Sequence, residues 1–382
     1  MMRTIIFSFF ITIFCSSCVS QNNNKIKDFY SLYTRDGKVD LSEKINAVNK
    51  SRSGDSYQFM ELRRPLGALN TIISVTSDSA LIQEQITLIN NVLDTAKKSK
   101  NIPNNKSEFK DDYKGWVAVN TNTKNESSKY QEIPLFESYS FLYITQFLYL
   151  LKENDWVEKS DENMKWWKST LAFIEQNIWQ KWYDRSLHKY GNNYGYFIRE
   201  RTHMGAHWAG IAMYLNRLTE NSKIINQTNT LVSQYDILLK RNLKIKNNAY
   251  IWNSTYDDIS GTYAPRRSGS VMQDVSHGNH VVTYIIAAYE LGNDNWTKND
   301  IQYLANTVKW LIYNKSRNRF YTNVDGTGSL SWTGLGDGWL KLRVYDKDVA
   351  EIFKRYSKEH SSQKNLLHIQ YQTNLRFYFS NK

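Results

Sequence analysis

The stretch QDVSHGNHVVTYIIAAYELG, residues 273–292, reads as an amphipathic helix with chemistry at its first turn. Val281, Ile285 and Ala288 recur at the spacing of a buried helix face, and Asp274 or Ser276 can cap the free N–H groups at its start. His277 and His280 then fall in the first turn, on a face apart from those core residues. The positive end of the helix dipole disfavours imidazolium, so a histidine there stays neutral and can accept a proton or bind a hydroxyl.

The same periodicity recurs along the chain, in residues 81–96, 137–151, 166–179, 207–218, 224–239, 300–313 and 348–356. Helices therefore dominate, and only four prolines are present to break them. Between helices run long polar connections such as KNNAYIWNSTYDDISGTYAPRRSGSV (246–271), rich in turn formers yet too aromatic for a mere linker. Helix pairs joined by such loops, with no strand–helix alternation, predict a mainly α fold. The expected form is an (α/α) toroid, an incomplete barrel of helical hairpins with long site-forming loops around a cleft; a plain bundle or helical solenoid is the alternative. Partial alternation in LLHIQYQTNLRFYF (366–379) predicts a short C-terminal strand.

The beginning of the chain, MMRTIIFSFFITIFCSSC, has one early Arg3, an apolar run from Ile5 to Ile13, and small residues before Cys18. That layout predicts an export signal over 1–17, and it resembles a bacterial lipoprotein signal in which Cys18 is lipidated. A polar tether over 18–28 and a single catalytic domain over 29–382 follow. The expectation is an exported periplasmic or outer-membrane lipoprotein of a bacterium, touching a membrane only through its N-terminal lipid. Both cysteines, Cys15 and Cys18, lie in this segment, so the mature domain has no internal disulfide and depends on its core. The 12 Trp, 26 Tyr and 16 Phe supply bulk for that core.

A formal charge of +12 makes a polyanion the natural partner. No nucleic-acid recognition motif or arginine-rich tail is present, which argues against nucleic acid. Acidic polysaccharide fits better, because aromatic faces stack on sugar rings while Arg and Lys pair with uronate carboxylates. Four of the seven histidines cluster at two helix starts. In RERTHMGAHWAGIAMYL (199–215), His203 and His207 share a face beside Trp208, while Arg199 and Arg201 offer forks for a carboxylate and Glu200 can orient a histidine. The spacing suits a metal pair, but Met204 stands where a zinc-protease motif has Glu, so no metal or other cofactor is expected. Upstream of the second start lie Trp252, Tyr256, Tyr263, Arg266 and Arg267.

Together AHWAGIAMYL (206–215) and DVSHGNHVVTYIIAAYELG (274–292) resemble the helical-toroid polysaccharide lyases, a broad group that includes alginate, glucuronan and heparinase-type lyases. The resemblance spans roughly residues 116–339. It implies β-elimination by a Tyr/His pair, with an Arg, Asn, Gln or Glu neutralising the uronate carboxylate. Alginate lyases of this architecture often carry Asn-Asn-His before the Trp-Ala pair, whereas Met204 to His207 stand here, which leaves the neutralising residue open. On this reading His207, Tyr263, His277 and Arg266 are the catalytic candidates. Arg199, Glu200, Arg201, His203, Trp208, Trp252, Tyr256, Arg267, His280 and Glu137 are the substrate-binding ones, in a monomer acting on alginate or, next, glucuronan. A glycoside hydrolase with paired carboxylates, a uronate C5-epimerase and a non-catalytic glycan-binding lipoprotein are the competing readings. Arg63 and Arg64 in MELRRPLGALN (60–70) read either as lining one end of the cleft or as facing solvent, and Tyr139 and Tyr143 as reaching the cleft or as core. Trp332 and Trp339, in the glycine-rich SWTGLGDGWLKLR (331–343), suit a sugar platform.

Overall fold

The computed structural model describes residues 39–256, 271–331 and 336–359. Apolar periodicity becomes helix: α1 (Val39–Ser51), α2 (Ser56–Thr76), α3 (Ser79–Asp94), α4 (Pro134–Glu153), α5 (Asp161–Ile174), α6 (Lys181–Tyr190), α7 (Thr202–Leu218), α8 (Ser222–Asn242), α9 (Val275–Glu290), α10 (Lys298–Asn306), α11 (Asp337–Lys341) and α12 (Lys347–Glu359). The strands are short antiparallel partners: β1 (Lys97–Lys98) with β2 (Lys114–Gly115), β3 (Lys244–Lys246) with β4 (Ala249–Ile251), and β5 (Tyr313–Asn314), β6 (Arg319–Tyr321) and β7 (Leu330–Ser331) in one small sheet. The fold is mainly helical. The predicted export signal, Cys18, the tether and the C-terminal strand lie outside the described residues. Among the described residues no helix is long and apolar enough to cross a membrane.

Five helices form a row in which α2 packs on α4, α4 on α7, α7 on α9 and α9 on α11. The intervening helices lie against that row: α1 and α3 on α2, α5 on α4, and α8 on α7. Each return through an outer helix brings the next row helix in with the same polarity. The core between the layers is aromatic, with Trp116, Trp179, Trp182, Trp208, Trp252 and Trp339 fully buried. Buried polar groups knit the layers at defined points. Asp236 of α8 accepts hydrogen bonds from Tyr284 (2.6 Å) and Trp296 (2.8 Å), and Asn70 of α2 donates to the Tyr143 carbonyl of α4 at 2.9 Å. Each satisfies an otherwise costly buried group while fixing one helix against the next.

Two outcomes differ from the periodicity. The long helix α2 carries Pro65 in its interior, where it removes an N–H that would bond one turn back. Packing on α4 overrides that local cost, which the sequence pattern by itself does not register. The connection from 246 opens with a hairpin, β3–β4, turned by Asn247 and Asn248 at φ 53° and 56°. Asparagine tolerates this left-handed backbone, which is the conformation a tight hairpin requires.

Candidate active site

Four backbone segments meet edge to edge and set the starts of α7 and α9 side by side. Thr202 N–H donates to the Ser254 carbonyl (3.0 Å), Gln273 N–H to the Trp252 carbonyl (3.0 Å), and Val275 N–H to the Thr322 carbonyl (2.8 Å). Single bridges pair Arg201 with Thr255, Asn253 with Met272, and Asp274 with Asn323. The Asp274 side chain then caps α9, accepting from His277 N–H at 3.0 Å. On the far side of α9, Gly338 lets α11 approach closely: a Cβ there would lie 2.5 Å from the Asn279 carbonyl oxygen and from Thr283 Oγ1.

With the helix starts aligned, the four histidines stack into one cluster. The ring of His203 lies 4.4 Å from that of His277 and 6.4 Å from that of His280, and His207 lies 4.4 Å from His280. From α4, Tyr139 packs 4.2 Å from His207 and 5.4 Å from His280. From α2, the Arg63 guanidinium sits 4.8 Å above the Tyr139 ring. Arg63 also donates to the Met60 carbonyl (2.6 Å) and to Glu61 (3.2 Å). Four consecutive helices of the row thus each contribute side chains from their N-terminal halves, and the positive dipole ends of α7 and α9 lie side by side at the cluster.

Burial sets the charge states. It pushes the His207 imidazole down to about 3, with Arg63 and His277 adding repulsion. It also lowers His203 and His280, whose neighbouring histidines act in the same direction. All three are neutral near pH 7, while burial pushes the Tyr139 phenol up against the opposing pull of Arg63, so the phenol keeps its proton. Both ring nitrogens of His207 and Nδ1 of His203 are buried with no hydrogen-bond partner among the described residues. Unsatisfied buried nitrogens are costly in a resting fold and suit hydroxyl or carboxylate groups brought by a ligand. Asp274 differs from the other groups. Its burial would raise the carboxyl, but hydrogen bonds from His277 and Ser276 outweigh that and hold it ionised.

Of the expected catalytic residues, His207 and His277 are in the cluster, and Tyr263 and Arg266 lie outside the described residues, as does Arg267. The segment that carries them begins after Tyr256, whose N–H bonds the Glu200 carbonyl (3.3 Å), and ends before Val271, whose carbonyl accepts from Ser254 (2.7 Å). His203 and His280 join the cluster, and Arg201 lies close enough to lower His203 electrostatically. Arg199 and Glu200 are half-buried beside it in sequence, and Arg199 Nε has no partner among the described residues.

Four of the residues expected to bind substrate are packed into the core, with their partners there. Glu137 is wholly enclosed, accepting from Lys181 Nζ at 2.8 Å and Trp182 Nε1 at 2.7 Å, so it is a clamp between α4 and α6 rather than a substrate ligand. Trp208 packs on Phe197 at 4.8 Å, Trp252 stacks on Trp339 at 6.1 Å, and Tyr256 is buried. Their size is spent on the core, and Trp339 is for the same reason no sugar platform; Trp332 lies outside the described residues. Arg63, readable in sequence as lining the cleft or facing solvent, and Tyr139, readable as reaching the cleft or as core, both lie in the cluster. Their signal was a cation and a phenol near the starts of two helices, which has meaning only once the row of helices is known.

Among the described residues no group of three or more His, Cys, Asp or Glu side chains is arranged to hold a metal ion. A cavity of about 530 Å³ lined by Arg52, Asp94, Lys97, Trp116 and Tyr130, among others, shares no lining residue with the histidine cluster. No family model, curated protein or solved structure matches this chain.

Proposed function

We propose that this chain is an exported polysaccharide lyase that cleaves a uronic-acid polymer, alginate first and glucuronan next, by β-elimination, and that its row of helices belongs to an (α/α) toroid. The observation that carries this reading is the convergence of Arg63, Tyr139, His207 and His280 from the N-terminal halves of successive helices. A uronate C5 proton becomes removable only when the adjacent carboxylate is neutralised. Arg63 and the helix ends supply positive charge for that carboxylate, and neutral imidazoles supply nitrogen lone pairs for hydroxyls and for the proton. Tyr139, kept protonated by burial, is suited to protonate the leaving oxygen. Tyr263 and Arg266 remain proposed as a second phenol and cation of the same chemistry.

Among the described residues, Glu61 and Asp274 near the cluster favour this class over a hydrolase. Glu61 is paired with Arg63 and Arg64, and Asp274 with His277, so neither stands free as half of an acid–base carboxylate pair. The deciding experiment incubates purified protein with alginate, polyguluronate, polymannuronate, glucuronan, pectate and glycosaminoglycans. A product absorbing in the ultraviolet, from the new C4–C5 double bond, is the expected result. New reducing ends without that absorbance would make the enzyme a hydrolase; altered uronate composition at unchanged chain length would make it an epimerase. Binding without any product would make it a glycan-binding protein.

A further inference from the structure

The cluster contains four histidines, but they are not equivalent. His203 and His207 are buried, and His280 is enclosed by Tyr139, His203 and His207. His277 is the most open of them to solvent, its side chain 48% exposed, while His280 is only half-buried. It is also the one that a carboxylate holds: Nδ1 of His277 lies 2.8 Å from Asp274 Oδ2. Asp274 is itself pinned. Its Oδ1 accepts the His277 backbone N–H (3.0 Å) and the Ser276 hydroxyl, and its Oδ2 also accepts from Gln273 Nε2 at 3.2 Å. With the carboxylate immobilised and ionised, Nδ1 of His277 carries the proton and Nε2 is left as the basic nitrogen.

We propose that Asp274 is a positioning residue for His277, and that Nε2 of His277 is the atom that takes the proton from the substrate carbon. This rests on the lyase reading and assigns its base. In the step, the Nε2 lone pair binds the C5 proton, the C–H electrons become the C4–C5 double bond, and the C4–O bond breaks with its electrons on the leaving oxygen. That oxygen takes the phenolic proton of Tyr139. The imidazolium then returns its proton to solvent, which its exposure allows, and the buried phenolate regains a proton from water that enters as product leaves. Asp274 stabilises the transient imidazolium without taking the proton. The other three histidines of the cluster each sense the His277 ring and would repel a positive one: His203 at the start of α7, His207 one turn on, and His280 on α9 itself. Among the described residues Asp274 is the one carboxylate bonded to the ring, so its removal takes away the counter-charge that they supply to the imidazolium.

Asp274→Asn separates positioning from folding, because asparagine still caps α9 through its Oδ1 while presenting N–H groups, not a carboxylate oxygen, to the ring. The full chain carrying isotope-labelled histidine reports the ring protonation directly by NMR. The wild type should have His277 protonated at Nδ1, and Asp274→Asn should move that proton to Nε2, with an unchanged far-ultraviolet circular dichroism spectrum. On the polymer that the wild type cleaves, Asp274→Asn and His277→Gln should each lower kcat by about 10²-fold or more, with KM changed far less. A wild-type His277 protonated at Nε2, an unmoved proton in Asp274→Asn, or an unchanged kcat in a folded variant would overturn the proposal. If the wild type yields no unsaturated product from any polymer, the lyase reading fails, and with it the assignment of His277 as its base. The NMR result still decides whether Asp274 sets the His277 tautomer.

Discussion

His207 entered as a favoured acid–base group because it shares a helix face with His203, and the structure keeps it in the cluster while burying it to 1% exposure. A ring whose conjugate acid is pushed down to about 3 is a weak base but a good neutral hydrogen-bonding partner. His207→Ala should therefore impair catalysis through lost substrate positioning, and Tyr139→Phe through the lost proton donor. Each is expected to reduce turnover by about 10²–10⁴-fold with the fold retained, measured as the rate of unsaturated-product formation alongside circular dichroism. Arg63→Ala should raise KM as well as lower kcat, because the carboxylate is charged in the ground state and more so as the enolate develops. A chelator should leave the rate unchanged, since the proposed chemistry runs on side chains; reversible loss restored by zinc would contradict it.

At the level of elements, the site depends on how closely α11 seats against α9. Asn279 Oδ1 accepts from the Gly338 N–H at 2.8 Å, and Gly338 leaves no room for a side chain there. Gly338→Ala would force a methyl group against backbone and Thr283, costing roughly 1–3 kcal/mol. The expected outcome is a lower melting temperature together with reduced activity, as α9 and its histidines shift. A variant as stable and active as wild type would mean that α11 does not position the site. Helix existence was legible for residues 81–96, 137–151, 207–218, 224–239 and 280–291, where apolar spacing is strong. The hairpin β3–β4 and the proline-bearing α2 were not, because turn backbone and neighbour packing decide them rather than periodicity.

For the whole molecule, clustering buried neutral histidines makes stability depend on acid. The ordinary histidine value is 6.5, and His207 is held near 3 in the folded state, so below pH 6.5 the unfolded chain takes up a proton that the folded chain refuses. For His207 stability is thus fully present above about pH 6.5 and is lost as pH falls toward 3, by roughly 1.4 kcal/mol per pH unit. Melting temperatures between pH 7 and pH 4 should fall more steeply in wild type than in His207→Gln; parallel curves would contradict the burial argument. Export and anchoring belong to this scale too. Labelled palmitate should enter the wild-type protein in cells and be absent from Cys18→Ala, and equal labelling of both would remove the anchor.

The sequence alone determined that the chain is mainly helical, because a period near 3.6 forces one face of each segment into a core whatever its neighbours are. It also showed four histidines at two helix starts, since histidines beside caps are visible locally. What it left open was which aromatic and basic residues serve the core and which the site. Trp208, Trp252 and Glu137 were buried by packing, whereas Arg63 and Tyr139, more than 60 residues from His207, were brought to it. Only the tertiary structure decided this, because such contacts arise from the order in which helices stack, and no local pattern encodes the distance between residues on different helices.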